Sequence, residues 1–194
     1  ANEIDALPEQ LGNLSELRML NISDAKIESL PFSLLSFPNL EYLQMQSIAF
    51  TTFPSEVFQL VSLKELGYLY QPISPLLGNL INLESLTLGH VSETTIPVEL
   101  FNCVKLKYLA IDGLCVPSYT LKGSIPSEIS RLKDLETLRL SNAEFTGGIP
   151  ESLSELSKMT RLFLRTCNIG GEFPSDLLVK MSGLKQVSLE NNGF

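Results

Sequence analysis

The chain is poor in the residues on which most catalytic and metal sites depend. Its 194 residues include three cysteines and one histidine, His90. Cys103, Cys115 and Cys167 cannot all pair and form no C-x-x-C motif, which argues against a dense disulfide framework and against a zinc site. No serine or cysteine near His90 is placed as a nucleophile, and no glycine-rich phosphate loop precedes a helix. We therefore expect no catalytic residue, no metal and no cofactor.

Positive charge is also scarce, and long apolar runs are absent. The chain has 14 lysines and arginines against 22 aspartates and glutamates, a net charge of −8. An acidic chain repels phosphate backbones and anionic lipids, so we expect binding to neither. No segment reaches the roughly eighteen apolar residues that a membrane helix needs, and the first residues lack a signal-peptide pattern. The composition, 44% hydrophobic and 19% charged, is that of an ordinary soluble folded protein.

What the sequence does contain is a repeat. An apolar pattern of the form L-x-x-L-x-L opens at eight positions, Leu17, Leu40, Leu63, Leu83, Leu106, Leu135, Met159 and Leu184. The intervals are 23, 23, 20, 23, 29, 24 and 25 residues. A period of this length is typical of a solenoid and matches the leucine-rich repeat, whose units span about 20–29 residues.

The unit that begins at Leu135 shows how one coil should fold. Leu138 and Leu140 are two residues apart, so on a strand they face the same side, which must be the core. Pro150 cannot donate to a sheet ladder, so the strand ends before it. Leu153 and the leucine three residues later follow at helical spacing, as in a short 3₁₀ turn. The sequence predicts an α/β right-handed solenoid with a parallel sheet on the concave face and 3₁₀ or irregular segments on the convex face.

Several units depart from the regular pattern. The unit from Leu106 carries about five extra residues around 116–120, expected to form a loop at the sheet edge. The 20-residue unit from Leu63 admits two strand registers around Tyr68, so the side-chain directions stay open there. The chain also begins and ends within a unit, and open solenoid ends need polar caps. We expect residues 1–194 to be a single array of about eight repeats, incomplete at its ends, and a piece of a longer solenoid.

A further irregularity concerns the position three residues past the last strand leucine, where an asparagine usually bonds the neighbouring coil. That position is occupied by Asn2, Ala25, Ile48, Gln71, Val91, Leu114, Ala143, Cys167 and Asn192. Only the two ends keep the asparagine. Buried backbone groups that lose such a partner are costly. The interior coils must therefore use apolar packing at this position or satisfy the backbone with water.

The second half of the chain resembles one class of these repeats. Gly123-Ser124-Ile125-Pro126 and Gly147-Gly148-Ile149-Pro150 resemble the G-x-I-P signature of plant-type leucine-rich repeats, as does Gly171-Glu172-Phe173-Pro174. Leu11-Gly12-Asn13-Leu14 and a second copy at residues 77–80 resemble the L-G-N-L turn of that class. The resemblance implies receptor ectodomains and glycanase-inhibiting proteins, which present the concave sheet to peptides, steroids or enzymes. Intracellular immune receptors carry similarly irregular repeats.

The outward positions of the strands supply the candidate ligand-binding residues. Arg139, Arg161, Phe163 and Arg165 fall on two adjacent strands and concentrate positive charge around an aromatic ring. Arginine and aromatic residues are enriched in binding hot spots. The alternative is a solvated sheet face with one stray phenylalanine. Other outward residues assigned to the candidate surface are Asp112, Tyr108 and Tyr42, the two tyrosines on non-adjacent repeats.

Two N-x-S sequons are candidate glycosylation sites, if the protein is secreted. Asn13 should lie on the convex side, whereas Asn21 should point from the concave strand, where a glycan would obstruct binding.

Taken together, these features predict a non-catalytic recognition module for a protein or peptide, part of a cell-surface receptor or a secreted inhibitor. Two alternatives remain open at this stage. One is a cytoplasmic immune-sensor or scaffold repeat domain, and the other is an accessory segment of a multidomain enzyme.

Overall fold

A computed structural model of the chain describes residues 5–31, 37–46, 50, 53–91, 95–114, 121–171 and 174–194. Within these ranges each repeat contributes one strand to a large parallel sheet. These strands are β1 (Met19–Asn21), β2 (Tyr42–Met45), β3 (Glu65–Leu69), β4 (Ser85–Val91), β5 (Tyr108–Gly113), β7 (Thr137–Ser141), β9 (Arg161–Arg165) and β10 (Gln186–Ser188). Two further short strands are β6 (Leu121–Gly123) and β8 (Ala143–Phe145).

The strands stack in chain order, as a solenoid requires. The eight-stranded sheet runs β1-β2-β3-β4-β5-β7-β9-β10, and every pairing in it is parallel. This confirms the predicted right-handed repeat architecture and its parallel sheet. The sequence did not predict the second sheet, in which β6 pairs with β8 in parallel. It lies just before the G-x-I-P turns of two consecutive coils.

The register of the strands aligns the repeat leucines into continuous buried rows. One row is Leu43, Leu66, Leu86, Leu109, Leu138 and Leu162. Each of these side chains is at most 1% exposed. Burying one such side chain contributes roughly 1.5–3 kcal/mol. A row of this kind is available only to stacked coils, which is why no single coil is stable alone.

Short 3₁₀ segments return the chain along the convex face. They are Glu9–Asn13, Ser55–Gln59, Pro75–Asn79, Val98–Asn102, Ser127–Arg131 and Glu151–Glu155. A last coil uses the α-helix α1 (Ser175–Lys180) instead. A proline stands immediately before most of these segments or opens them, which ends the preceding extended chain and fixes φ near the helical value.

The glycines of the G-x-I-P turns are required by the backbone. Gly123, Gly147 and Gly171 have φ values of 90°, 86° and 90°, a region that side-chain-bearing residues rarely adopt. At Gly123 and Gly147 the motif therefore marks the point where the chain leaves the second sheet and turns toward the 3₁₀ segment. Phe173 of the third motif lies outside the described residues.

The 20-residue unit settles into one of its two registers. Leu66 pairs with Leu86 and Tyr68 with Leu88, so both point into the core. Tyr68 is 1% exposed and packs against Phe53 at a ring-centroid distance of 4.6 Å. Burial raises the pKa of its hydroxyl above the ordinary value. The outward residues of β3 are therefore its first, third and fifth.

Other hydrogen bonds take the place of the missing asparagine at three of the interior positions. The Gln71 side-chain amide donates to the Phe50 carbonyl at 3.2 Å, and Ala143 and Cys167 use backbone and thiol groups. At the last coil the Asn192 side chain still accepts the Cys167 N–H at 3.2 Å. The Cys167 thiol in turn donates to the Leu140 carbonyl at 3.2 Å, and the Ala143 N–H donates to the Thr166 carbonyl at 3.0 Å. At these two positions thiol and backbone hydrogen bonds thus replace the amide ladder. Positions 2 and 48, like the insertion at 116–120 and Cys115, lie outside the described residues.

Candidate ligand-binding face

The concave face consists of three rows of outward side chains that cross the sheet. The middle row runs through Gln44, Gly67, Thr87, Ala110, Arg139, Phe163 and Ser188. On β4 and β5 this row holds only the small side chains of Thr87 and Ala110, so it forms a trough. On β3 the Gln44 side chain lies over Gly67 and closes the trough at that end. On β7 and β9 the row continues with the large side chains of Arg139 and Phe163, which stand above the trough. The sequence-predicted cluster therefore lies at one end of a shallow channel.

Arg139, Phe163 and Arg165 form a continuous contact group. Arg139 and Phe163 are direct partners on β7 and β9. The guanidinium carbon of Arg139 lies 5.8 Å from the Phe163 ring centroid, and that of Arg165 lies 5.1 Å from it. Both distances are within the range of a cation–π contact, worth about 0.5–1 kcal/mol at an exposed site. The half-buried ring thus holds two exposed arginines in place, as the sequence grouping suggested.

Arg165 and Arg139 differ in whether an acidic side chain lies beside them. Arg165 donates to the Ser188 hydroxyl at 2.9 Å and lies 3.8 Å from a Glu190 carboxylate oxygen. That pair is exposed on both sides, so it contributes at most about 1 kcal/mol. Among the described residues no carboxylate lies within ion-pair distance of Arg139. Its charge is available to a ligand.

Arg161 has a different position in the predicted cluster. It lies in the outer row of the sheet, where its Nε donates to the Thr137 hydroxyl at 2.8 Å. This contact covers Thr137, which is 2% exposed although it points toward the concave side. Tyr108 and Tyr42 share that outer row with Arg161. The tyrosines are three strands apart, about 14 Å, so the structure does not bring them together.

Asp112 lies on the other side of the trough as a fixed carboxylate. One of its oxygens accepts both the Ser141 hydroxyl at 2.8 Å and the Asn142 amide at 2.7 Å. Within the described structure Asp112 and Arg139 form no ion pair, so the face carries an acid and a base that remain separate. A peptide backbone or side chain can meet a donor and an acceptor there.

A feature that sequence reasoning missed lies at the carboxyl ends of β3 and β4. Tyr70 and His90 stack with ring centroids 4.7 Å apart and an interplanar angle of 37°. His90 was expected just past a strand, but it is the penultimate residue of β4. Tyr70 is 53% exposed, and its N–H donates to the Gly89 carbonyl at 2.9 Å.

Both aromatic residues occupy a left-handed position that recurs from coil to coil. It falls two residues past the last inward strand residue and holds Asp24, Tyr70, His90, Asn142, Thr166 and Asn191, all with φ between 53° and 62°. Asparagine, aspartate and histidine tolerate this region, whereas a bulky residue is an outlier there. The strain at Tyr70 is on the order of 1–3 kcal/mol. The aspartates and asparagines at this repeat position were the available sequence signal, and they identify Tyr70 and the β-branched Thr166 as the exceptions.

Comparison with solved structures places this architecture among known proteins. The LRR ectodomain of the plant membrane receptor kinase GASSHO1/SCHENGEN3 from Arabidopsis thaliana, solved with CASPARIAN STRIP INTEGRITY FACTOR 2, is 28% identical over 97% of this chain, with a TM-score of 0.74. The plant peptide hormone receptor RGFR1, solved with RGF2, is 26% identical over 97% of the chain, with a TM-score of 0.77. The chain has the leucine-rich-repeat fold and resembles plant receptor ectodomains. It spans 26% and 30% of the length of these two structures.

Other comparisons agree on the repeat and are less informative on function. A family model described as Leucine Rich Repeat matches residues 134–156 of this leucine-rich-repeat protein. An internalin C2 from Listeria monocytogenes has a TM-score of 0.76 at 20% identity, covering 96% of this chain and 76% of its own, which shows the fold alone. No curated protein matches by sequence.

The two sequons of the leucine-rich-repeat protein lie where the repeat predicted. Asn13 ends the first 3₁₀ segment, on the convex side, and is exposed. Asn21 ends β1, and its side chain accepts the Ser23 N–H at 3.0 Å. Their use as glycosylation sites remains a prediction.

The described cysteines serve packing. Cys103 and Cys167 are free and fully buried, and burial raises the pKa of each thiol to about 12. A thiol with so high a pKa is almost wholly protonated at neutral pH and is a poor nucleophile. Across the described ranges no group of three His, Cys, Asp or Glu side chains is arranged to hold a metal ion. The helices described there are also too short or too polar to cross a membrane.

Proposed function

We propose that this leucine-rich-repeat segment is a non-catalytic recognition module that binds a protein or peptide through its concave face. Its contact residues are Arg139, Phe163, Arg165 and Arg161, with Asp112, Tyr108 and Tyr42 further along the face. The observation that carries the proposal is the aromatic ring held between two exposed arginines at the end of the trough. Arginine and aromatic anchors of this kind account for most of the binding energy at protein interfaces.

The comparisons support this kind of ligand. The GASSHO1/SCHENGEN3 ectodomain was solved with CASPARIAN STRIP INTEGRITY FACTOR 2, the peptide hormone receptor RGFR1 with RGF2, and a HAESA ectodomain with an IDA peptide hormone ligand. The identities of 26–28% and the coverage of 97% of this chain extend the likeness across the whole sheet. An acidic chain with an exposed basic cluster fits an acidic or carboxylate-bearing peptide segment.

By the same likeness we place the protein at the cell surface or outside the cell. If the protein is extracellular, the exposed Asn13 should carry a glycan when the protein is produced in a eukaryotic secretory host. Peptide mass spectrometry before and after glycosidase treatment would detect it. An unmodified Asn13 would contradict the extracellular assignment and favour a cytoplasmic scaffold.

The binding proposal predicts a large effect of removing the aromatic anchor. Peptides selected on the wild-type protein from a random displayed library should bind Phe163→Ala roughly 30-fold more weakly, as a hot-spot loss of about 2 kcal/mol requires. Isothermal titration calorimetry measures the change. The matched control is Phe194→Ala, since that phenylalanine is 42% exposed and lies in sequence outside β7 and β9. Equal losses in both variants would refute a role for Phe163 as an anchor.

A further inference from the structure

Among the described residues the large sheet contains one shift of register, between β4 and β5. Leu88 pairs with Ile111 and Val91 pairs with Gly113, so two residues, Gly89 and His90, oppose the single residue Asp112. This is a β-bulge, a device that re-aims side chains and is common beside functional sites. Here it turns the His90 ring toward Tyr70 on the neighbouring coil.

The bulge borders a depression with one aromatic and one polar wall. Its volume is about 240 Å³, and it is lined by the His90 ring, Gly89, Ala110, Asp112 and Arg139 among others. Small-molecule pockets usually measure about 300–1,000 Å³, so this depression suits one side chain better than a whole ligand. Adding a side chain to Gly89 would collide with Leu69, so the space depends on that glycine.

The polar wall offers one fixed acceptor. The Oδ1 atom of Asp112 is held by Ser141 and Asn142. Within the described ranges no side chain donates to Oδ2, which leaves that oxygen available to a ligand. Arg139 also lines the depression and disfavours a second cation there. The occupant is therefore neutral, carries a hydrogen-bond donor and presents a flat apolar face.

We propose that the depression between the Gly89–His90 bulge and Asp112 is a subsite for a single tyrosine side chain of the ligand. Its ring stacks against the His90 ring, which is itself stacked on Tyr70, and its phenol donates to Asp112 Oδ2. The inference rests on the proposed use of the same sheet face. Asp112 and Phe163 are two strands apart, about 10 Å, which an extended peptide covers in about three residues. One peptide can thus reach both the subsite and the arginine cluster.

The test uses N-acetyl-tyrosine amide as the probe in an NMR titration of the ¹⁵N-labelled protein. We expect saturable shifts at the Gly89 and Asp112 amides, with N-acetyl-phenylalanine amide binding more weakly. The double variant Tyr70→Asn with His90→Asn should bind the probe roughly five-fold more weakly. Asparagine suits the left-handed backbone, so this variant should melt at or above the wild-type temperature. Thr166→Asn, at the same repeat position on another coil, is the matched control and should leave probe affinity unchanged.

Asp112→Asn separates the polar contribution from the aromatic one. It should remove most of the preference for the tyrosine probe over the phenylalanine probe. Absence of saturable shifts, equal affinity in the Tyr70/His90 double variant, or tighter binding of N-acetyl-lysine amide would each overturn the subsite. None of these results affects the peptide affinity measured with Phe163→Ala, so failure of the subsite and failure of the proposed function are distinguishable.

Discussion

Reversing the charge of Arg139 and Arg165 together should reduce the affinity for a selected peptide roughly 100-fold or more. Both guanidinium groups lie against the Phe163 ring, and Arg139 has no carboxylate partner among the described residues. Glutamates at these positions would both remove the donors and repel an acidic ligand. Losses at arginine hot spots of about 2 kcal/mol each are not additive, and about 3 kcal/mol for the pair corresponds to a 100-fold change.

The salt dependence of binding gives a second readout of the same prediction. The arginines are exposed, so salt should screen their attraction to the peptide, and wild-type affinity should fall as the salt concentration rises. At 1 M salt the Debye length is only about 3 Å. The double variant should lose most of that salt dependence. Circular dichroism should be unchanged, because neither side chain contributes to the core.

Replacing Leu138 by alanine should lower the free energy of unfolding by about 2–5 kcal/mol. Leu138 is 0% exposed and stands between Leu109 and Leu162 in the leucine row. The substitution removes the transfer free energy of the lost methyl groups and leaves a cavity between coils that can close only in part. Folded domains have about 5–15 kcal/mol in total, so this is a large fraction. Urea denaturation would measure it.

Val187→Ala is the matched control for the core prediction. Val187 holds the same position of the repeat on the last strand, where it pairs with Leu162, but it is 42% exposed. Its loss should cost well under 1 kcal/mol. Similar losses at both positions would mean that stability does not depend on interior stacking of the leucine row.

The fold could be predicted from the sequence because the spacing of the repeat leucines determines which positions of each strand face the core. A period of two within each strand and a period of 20 to 29 residues between strands leave one way to bury Leu138 and its equivalents. The same phase placed Arg139, Phe163 and Arg165 on the outward side of adjacent strands. Their mutual contact then follows from parallel register, which the stacking of equivalent positions determines.

Other features depend on the register and the contacts between neighbouring coils, which cannot be predicted from the sequence of one repeat unit. The bulge at Gly89 and His90 exists only as a mismatch of two residues against one on β5. Tyr68 enters the core because the neighbouring leucine row sets the register of β3. The Cys167 thiol bonds a carbonyl of the preceding coil, which composition could identify only as burial.

The most direct measurement compares two double variants of equal charge change for one selected peptide. Arg139→Glu with Arg165→Glu alters the concave face, whereas Arg131→Glu with Lys180→Glu alters the convex 3₁₀ segment and α1. Each pair changes the net charge by −4, so general electrostatics affects both alike. We expect the ratio of their dissociation constants to be roughly 100 or more. A ratio near one would show that the ligand binds elsewhere than at the concave cluster.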